Sequence, residues 1–458
     1  MPGSVVLVKQ PAKKQALTPE PSRGLGRSIL ALAIPALGAL IAEPLFLLAD
    51  MAIIGHLGIN ELAGAGLGTT ILQTAVGLMI FLAYSTTPAV ARAMGSGNMG
   101  KAMAAGRDGI ALALGLGLIL AVVGFFGAPA LATAMGATGE VHGFAVDYIQ
   151  YSTFGIPAML LVLAATGVLR GLQDTKTPLY VAGLGFAANI ALNYVLVYPL
   201  GMSVAGAALG TSIAQWGMAL IYLWMLVPRM RGSEQTLRPS LSGVLSTGKV
   251  GSWLMLRTLS LRLALIATVW VATGQGALTL AAHQLVFTIF TFMAFALDAL
   301  AIAAQALIGK ELGAGHAGAV HTLTKTMSRW GIYFGIFTGA VLAIIAPFVG
   351  ALFTADDSVR RATMVGVWIL AAAQPICGLV FVLDGVLIGA GDARYLAIAG
   401  LITLLVYLPM LVVITRFEHA GVSAVGWIWV AFGVGFMAAR AITLSWRVRN
   451  DAWMRLGA

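Results

Sequence analysis

Charge is what this chain has least of: Asp, Glu, Lys and Arg make up only 10% of its 458 residues. Soluble domains carry about 25%. Here 59% of residues are hydrophobic and the mean hydropathy is +0.93. That composition excludes a water-soluble globule and reads as an all-α integral membrane protein. Cysteine is nearly missing too. Cys377 stands alone in an apolar run, which excludes an internal disulfide and a cysteine-based metal site. The chain has no GxxxxGK followed by Ser or Thr, so ATP hydrolysis is not expected of it. Its six histidines, His56, His142, His283, His316, His321 and His419, lack metal-ligand spacing. Only His283 is a candidate for a polar contact within the second half.

Basic residues outnumber acidic ones, 27 to 17. Their positions argue against nucleic acid, because they recur at the ends of apolar runs as the positive-inside rule expects. Runs long enough to cross a core of ~30 Å fall near 28–56, 62–91, 107–134, 146–170, 178–199 and 205–228. Six more fall near 250–273, 277–309, 327–353, 362–388, 395–416 and 421–446. With the N-terminus inside, only Arg360, Arg361 and Arg416 fall on the outer side. The expected organisation is a disordered cytoplasmic tail over 1–27, a six-helix bundle over 28–228, and a basic cytoplasmic linker over 229–249. A second six-helix bundle follows over 250–446, then a cytoplasmic tail over 447–458. Residues 1–27 carry Lys9, Lys13, Lys14, Arg23 and Arg27 without the apolar core of a signal peptide.

The halves repeat at an offset of 218 residues. Gly95, Gly97 and Gly100 become Gly313, Gly315 and Gly318; Pro129 becomes Pro347; Pro157 becomes Pro375. The run Gly167, Val168, Leu169, Gly171, Asp174 becomes Gly385, Val386, Leu387, Gly389, Asp392. Such a register means internal duplication. Six spans per half give both copies one orientation, with a pseudo-two-fold axis along the membrane normal, as in rocking transporters. The glycine triplets spell GxGxxG twice, but each follows a span instead of a strand, so neither is read as a dinucleotide site. Pro157 and Pro375 read more readily as structural kinks than as hinges.

Polar residues inside spans cost free energy and mark candidate sites, at roughly 2.5–3.5 kcal/mol for an aspartate at a helix centre. The first span holds Glu43 and Asp50, seven residues apart and nearly on one face. Asn189 and Asn193 on the fifth span match their depths, and serve either as partners for a carboxylate or only as helix glue. Pro35 and Pro44 each remove a donor from the first span and are candidate hinges. In the second half Arg257 and Arg262 on the seventh span, Gln284 and Asp298 on the eighth and Asp384 on the tenth form a further candidate group. The charged members map to one depth, as a working site or a static paired network. No metal cluster and no nucleophile paired with a histidine stand out, so an enzyme is not expected.

With these residues in view, the chain resembles the multidrug and toxic compound extrusion (MATE) family, in its DNA-damage-inducible F (DinF) branch. The resemblance rests on EPLFLLADMAIIGHLG at 43–58, GVLRGLQDTKTP at 167–178, NIALNYVLVYPLGMSVAGAALGT at 189–211, ALDALAIAAQA at 296–306 and FVLDGVLIGAGD at 381–392. It implies twelve helices in two bundles around a V-shaped cleft, and export of cationic or amphipathic compounds against an inward proton or sodium flow. The family's first-helix aspartate falls on Asp50 and its bending proline on Pro35. Its fifth-helix pattern of Asn, three residues and Asp falls on Asn189 and Asn193, where the second residue is here Asn. That loss of a carboxylate favours protons over sodium as the coupling ion. The alternative is a flippase for a lipid-linked precursor. The expected protein needs no cofactor, works as a monomer among membrane lipids, and lies in the plasma (inner) membrane as a multi-pass protein with both termini cytoplasmic.

Overall fold

The computed structural model describes residues 22–232, 238–416 and 421–457. Among these it contains helices and turns and no strand. The first half comprises α1 (Ser22–Gly55), α2 (Ile59–Leu78), α3 (Phe81–Gly95), α4 (Met99–Ala134), α5 (Gly139–Thr153), α6 (Ile156–Gly171), α7 (Lys176–Val197) and α8 (Ser203–Gly232). The second comprises α9 (Leu241–Gly274), α10 (Ala277–Gly313), α11 (Ala317–Phe353), α12 (Asp357–Gly389), α13 (Ala393–Thr415), α14 (Val422–Val430) and α15 (Met437–Val448), the last two joined by a π-helical turn over Ala431–Phe436. Eleven stretches are long and apolar enough to cross a membrane, and the bent pair α5–α6 makes a twelfth. This agrees with the twelve apolar runs.

The duplication is visible in the backbone. After α3, Gly97 takes a φ of 76° and the amide of Asn98 donates to the Ala93 carbonyl at 3.0 Å. After α10, Gly315 takes 78° and His316 donates to Glu311 at 3.0 Å. Both GxGxxG runs are thus glycine-capped helix ends followed by a new helix, with no strand and no phosphate cradle.

Prolines inside spans are handled the same way in both halves. Pro129 cannot donate to the Phe125 carbonyl, and Gln150 Nε2 of α5 donates there instead at 3.2 Å. Pro347 frees the Ala343 carbonyl, and Trp368 Nε1 of α12 takes it at 3.2 Å. Gln150 and Trp368 are repeat partners. Pro35 leaves the Ala31 carbonyl free, and Thr175 Oγ1 approaches it at 3.5 Å. Helix α1 runs unbroken through both Pro35 and Pro44.

Symmetry fails elsewhere. The span equivalent to α10 breaks at residues 79–80 into α2 and α3. The span equivalent to α12 bends by 49° between α5 and α6, next to Pro157, whereas Pro375 sits inside continuous α12. The two prolines therefore do not act alike.

The bundles meet through α3 and α10. The backbones touch at glycines: a side chain on Gly95 would overlap the Lys310 carbonyl, and one on Gly313 would overlap the Arg92 carbonyl. These two contacts are exchanged by the 218-residue offset, so the pseudo-two-fold axis passes between them. Ala36 of α1 packs with Ala299 and Ile302 of α10 in the same half of the membrane. In α10 every residue from Ala299 to Gly309 is buried, while Ala281, Gln284, Thr288 and Phe292 nearer its start are exposed. The bundles are thus closed at the face rich in basic residues, called the basic face below, and part toward the opposite face.

The stretch after 446 folds back on the basic face. Trp453 is buried, Arg92 Nη2 donates to the Arg455 carbonyl at 2.7 Å, and the Gly457 amide donates to the Leu312 carbonyl at 2.9 Å. Helices α8 and α9 extend into the stretch between the bundles, up to Gly232 and from Leu241. The Ser240 amide there donates to Asp108 of α4 at 3.0 Å.

Candidate functional site

The strongest polar constellation lies inside the N-terminal bundle, where α1, α7 and α8 converge. Helix α7 places Asn189 and Asn193 four residues apart on one face, and both are fully buried. Asp50 of α1 is 2% exposed. Asn193 Nδ2 donates to Asp50 Oδ1, and Thr211 Oγ1 of α8 donates to Asp50 Oδ2 at 3.0 Å. Asn189 Nδ2 donates to Thr211 at 2.8 Å, which ties the second amide to the carboxylate through the hydroxyl. Gly210 leaves room for this, because a side chain there would overlap Asn193 Oδ1.

Two acceptors remain over: Asn189 Oδ1 and Asn193 Oδ1 are buried without a hydrogen-bond partner. A protonated Asp50 carboxyl would gain a donor beside unpaired acceptors, and a positively charged ligand would meet carboxylate and amide oxygens together. Among the described residues no three His, Cys, Asp or Glu side chains group as metal ligands. The Glu43 side chain lies outside the described residues.

Thr211 was not among the residues singled out in the sequence. Its one signal was a hydroxyl at matching depth in a glycine- and alanine-rich span. In the C-terminal bundle the equivalents of Asp50, Asn189 and Thr211 are Thr268, Tyr407 and Trp429. Thr268 and Tyr407 share a hydrogen bond of 2.7 Å, so this pocket is polar but uncharged. Buried His283 lies against Trp429 at 5.6 Å between ring centres, and its Nδ1 has no partner.

The second constellation is charged. Arg257 of α9 pairs with Asp384 of α12, as the shared depth predicted. Arg440 of α15, unmarked in the sequence, donates to both Asp384 oxygens at 2.8 and 2.9 Å. Across the bundle contact, Tyr84 of α3 directs its hydroxyl to Asp298 of α10 at 3.4 Å, and the Arg257 guanidinium stands 6.0 Å from the Tyr84 ring. Arg170 of α6 is buried and close enough to Asp298 to interact with its charge. Three buried arginines thus surround two aspartates.

Two expected members do not join. Arg262 is exposed on α9 with its guanidinium beside Gly77 of α2, and Gln284 is exposed on α10. Counting from a span's end fixes depth but not direction around the helix. The step from Arg257 turns Arg262 about 140° around α9 and away from the network, whereas Gln284 lies about 21 Å along α10 from Asp298, at another depth.

The comparisons with known proteins fit this architecture. The MatE family model matches residues 35–195 and 254–413, one segment in each half of the repeat. The chain is 30% identical over 463 residues to Protein DETOXIFICATION 44, chloroplastic, of Arabidopsis thaliana, covering 96% of this chain and 85% of that protein. It is 29% identical to DNA damage-inducible protein F of Escherichia coli, covering 92% of each. The Vibrio cholerae MATE transporter VcmN in its bent form superposes with a TM-score of 0.85 at 20% identity, over 94% of this chain and 99% of that one. A duplicated twelve-span fold and a family match in both halves lead to one conclusion: this chain belongs to the MATE family of membrane transporters.

Proposed function

We propose that this protein is a secondary active antiporter that exports cationic or amphipathic organic compounds in exchange for protons. It has no cofactor and no catalytic step. It lies in the plasma membrane as a monomer, with the basic face and both ends of the chain in the cytoplasm. The observation that carries this reading is Asp50, one buried carboxylate held by an amide and a hydroxyl, with two unpaired amide oxygens at its side. A proton and a cationic compound compete for that one negative charge. Ionised Asp50 holds the compound; a proton entering from the open outer cleft neutralises the charge and releases it. Sodium is the less favoured ion, because position 193 offers an amide where a second carboxylate would supply hard oxygen.

The test is ethidium efflux from proteoliposomes holding the wild type or Asp50→Asn, driven separately by a pH gradient and by a sodium gradient. Efflux driven by protons and lost in the variant supports the reading. Efflux driven by sodium alone overturns the ion assignment, and wild-type rates in Asp50→Asn overturn the role of Asp50.

A second reading has one observation in its favour. The excess of Arg170, Arg257 and Arg440 over Asp298 and Asp384 suits an anionic headgroup, which is what a flippase for a lipid-linked precursor would carry. Absence of drug efflux under both gradients, with scrambling of a lipid-linked phosphate, would favour it.

A further inference from the structure

A cavity of about 610 Å³ opens on the basic face, and neither Asp50 with its partners nor any member of the Asp384 network lines it. One wall is α3 of the N-terminal bundle; the others are the start of α9, the turn into α13, the end of α15 and the folded stretch 452–455. Five cations line it, Arg92, Lys249, Arg394, Arg447 and Arg455, against the single acid Asp392. Asp392 is already engaged by Arg447 Nε at 2.7 Å. Among the described residues none of the other four cations has a carboxylate partner. Arg92 gives Nη2 to the Arg455 carbonyl, and its Nε is buried without an acceptor.

We propose that this cavity binds a phosphate-bearing polyanion, either the headgroup of an anionic lipid or a soluble di- or polyphosphate. Four cations without a carboxylate partner among the described residues repel each other around one concavity, and an anion of two or more charges relieves that repulsion. Planar guanidinium forks match phosphate oxygens. The volume lies in the range of small-ligand sites and is too small for a macromolecule. Basic hollows between spans on the cytoplasmic side suit phosphorylated headgroups. Trp253 and Val250 give apolar contact for the neutral part of such a ligand, and Arg394 already stands 5.9 Å over the Trp253 ring. Arg92 belongs to the N-terminal bundle and Lys249, Arg394 and Arg455 to the C-terminal half. A bound polyanion therefore ties the bundles together where they are closed and favours that closed face.

The test is binding to the purified, detergent-solubilised full chain. The probes are tetraoleoyl cardiolipin, dioleoyl phosphatidylcholine as the zwitterionic control, and inorganic pyrophosphate. We expect the wild type to bind cardiolipin or pyrophosphate, phosphatidylcholine to bind poorly, and Lys249→Gln/Arg394→Gln to weaken binding at least tenfold. Arg449→Gln, on the same face but outside the cavity, keeps wild-type affinity. Cardiolipin binding that pyrophosphate does not displace identifies a lipid site; displacement identifies the phosphate itself as sufficient. Equal affinity in wild type and double variant, or no binding of either probe by the wild type, overturns the proposal. Should the double variant fail to fold, Lys249→Met alone carries the same comparison.

Discussion

Gln150 and Trp368 are repeat partners with different side chains, and each donates at 3.2 Å to a carbonyl that a proline four residues further on leaves free. The duplication has kept the hydrogen bond while the donor changed from an amide to an indole. Gln150→Leu and Trp368→Phe should each leave an unsatisfied carbonyl inside the membrane and cost about 1–3 kcal/mol. The sites are far apart, so the double variant should show the sum. Thermal unfolding of the purified protein checks this, and Trp368→Gln should retain most of the stability.

At the basic face, Gly95 and Gly313 let α3 and α10 approach to backbone contact. Gly95→Val or Gly313→Val should hold the bundles apart there and lower transport at least tenfold at normal folded yield. A thiol placed at buried position 91, which faces Gly309 of α10, by Ala91→Cys in a Cys377→Ala background, should then react with reagents applied from that face. It should stay protected where both glycines are intact.

Thr211 donates to Asp50 and accepts from Asn189, so it positions the carboxylate without carrying charge. Hydrogen bonds to charged groups are worth about 1.5–3 kcal/mol. Thr211→Ala should therefore slow proton-driven efflux roughly tenfold or more, while Thr211→Ser should restore it. Equal rates in both variants would make the hydroxyl irrelevant.

Outside the membrane, Asp356 caps α12 by accepting from the amides of Ser358 at 2.8 Å and Val359 at 3.0 Å. The Val359 and Ser358 amides hold its carboxyl below the usual range of about 4. A depressed acid stabilises the fold above its unfolded value, and that contribution is lost as pH falls through the depressed one. Hydrogen exchange at the start of α12 should therefore rise on acidification in the wild type relative to Asp356→Asn, whose cap carries no charge.

Much of this was legible in the sequence because lipid constrains it heavily. Apolar length fixed the twelve spans, the constant offset revealed the duplication, and the cost of a charge in the bilayer singled out Asp50 and Asp384. Depth counting also brought Asn193 to Asp50 and Arg257 to Asp384. Direction around a helix was not legible, which is why Arg262 was misplaced, while Gln284 lies toward the other end of α10 from Asp298 and so at another depth. Thr211 is unmarked because a hydroxyl carries no charge, and Arg440 because a basic residue toward the inner end of the last span is what the positive-inside rule expects anyway. The breaks at 79–80 and 154–155 were hidden as well: the same offset predicts continuous helices there, and α10 and α12 are continuous.

The central claim is that one carboxylate serves proton and substrate in turn. It is tested most directly by proton release when ethidium is added to the detergent-solubilised protein in weakly buffered solution with a pH indicator. The account predicts release of about one proton per bound ethidium in the wild type, by linkage, and none from Asp50→Asn. Ethidium binding to the wild type without proton release, or equal release from Asp50→Asn, would contradict it.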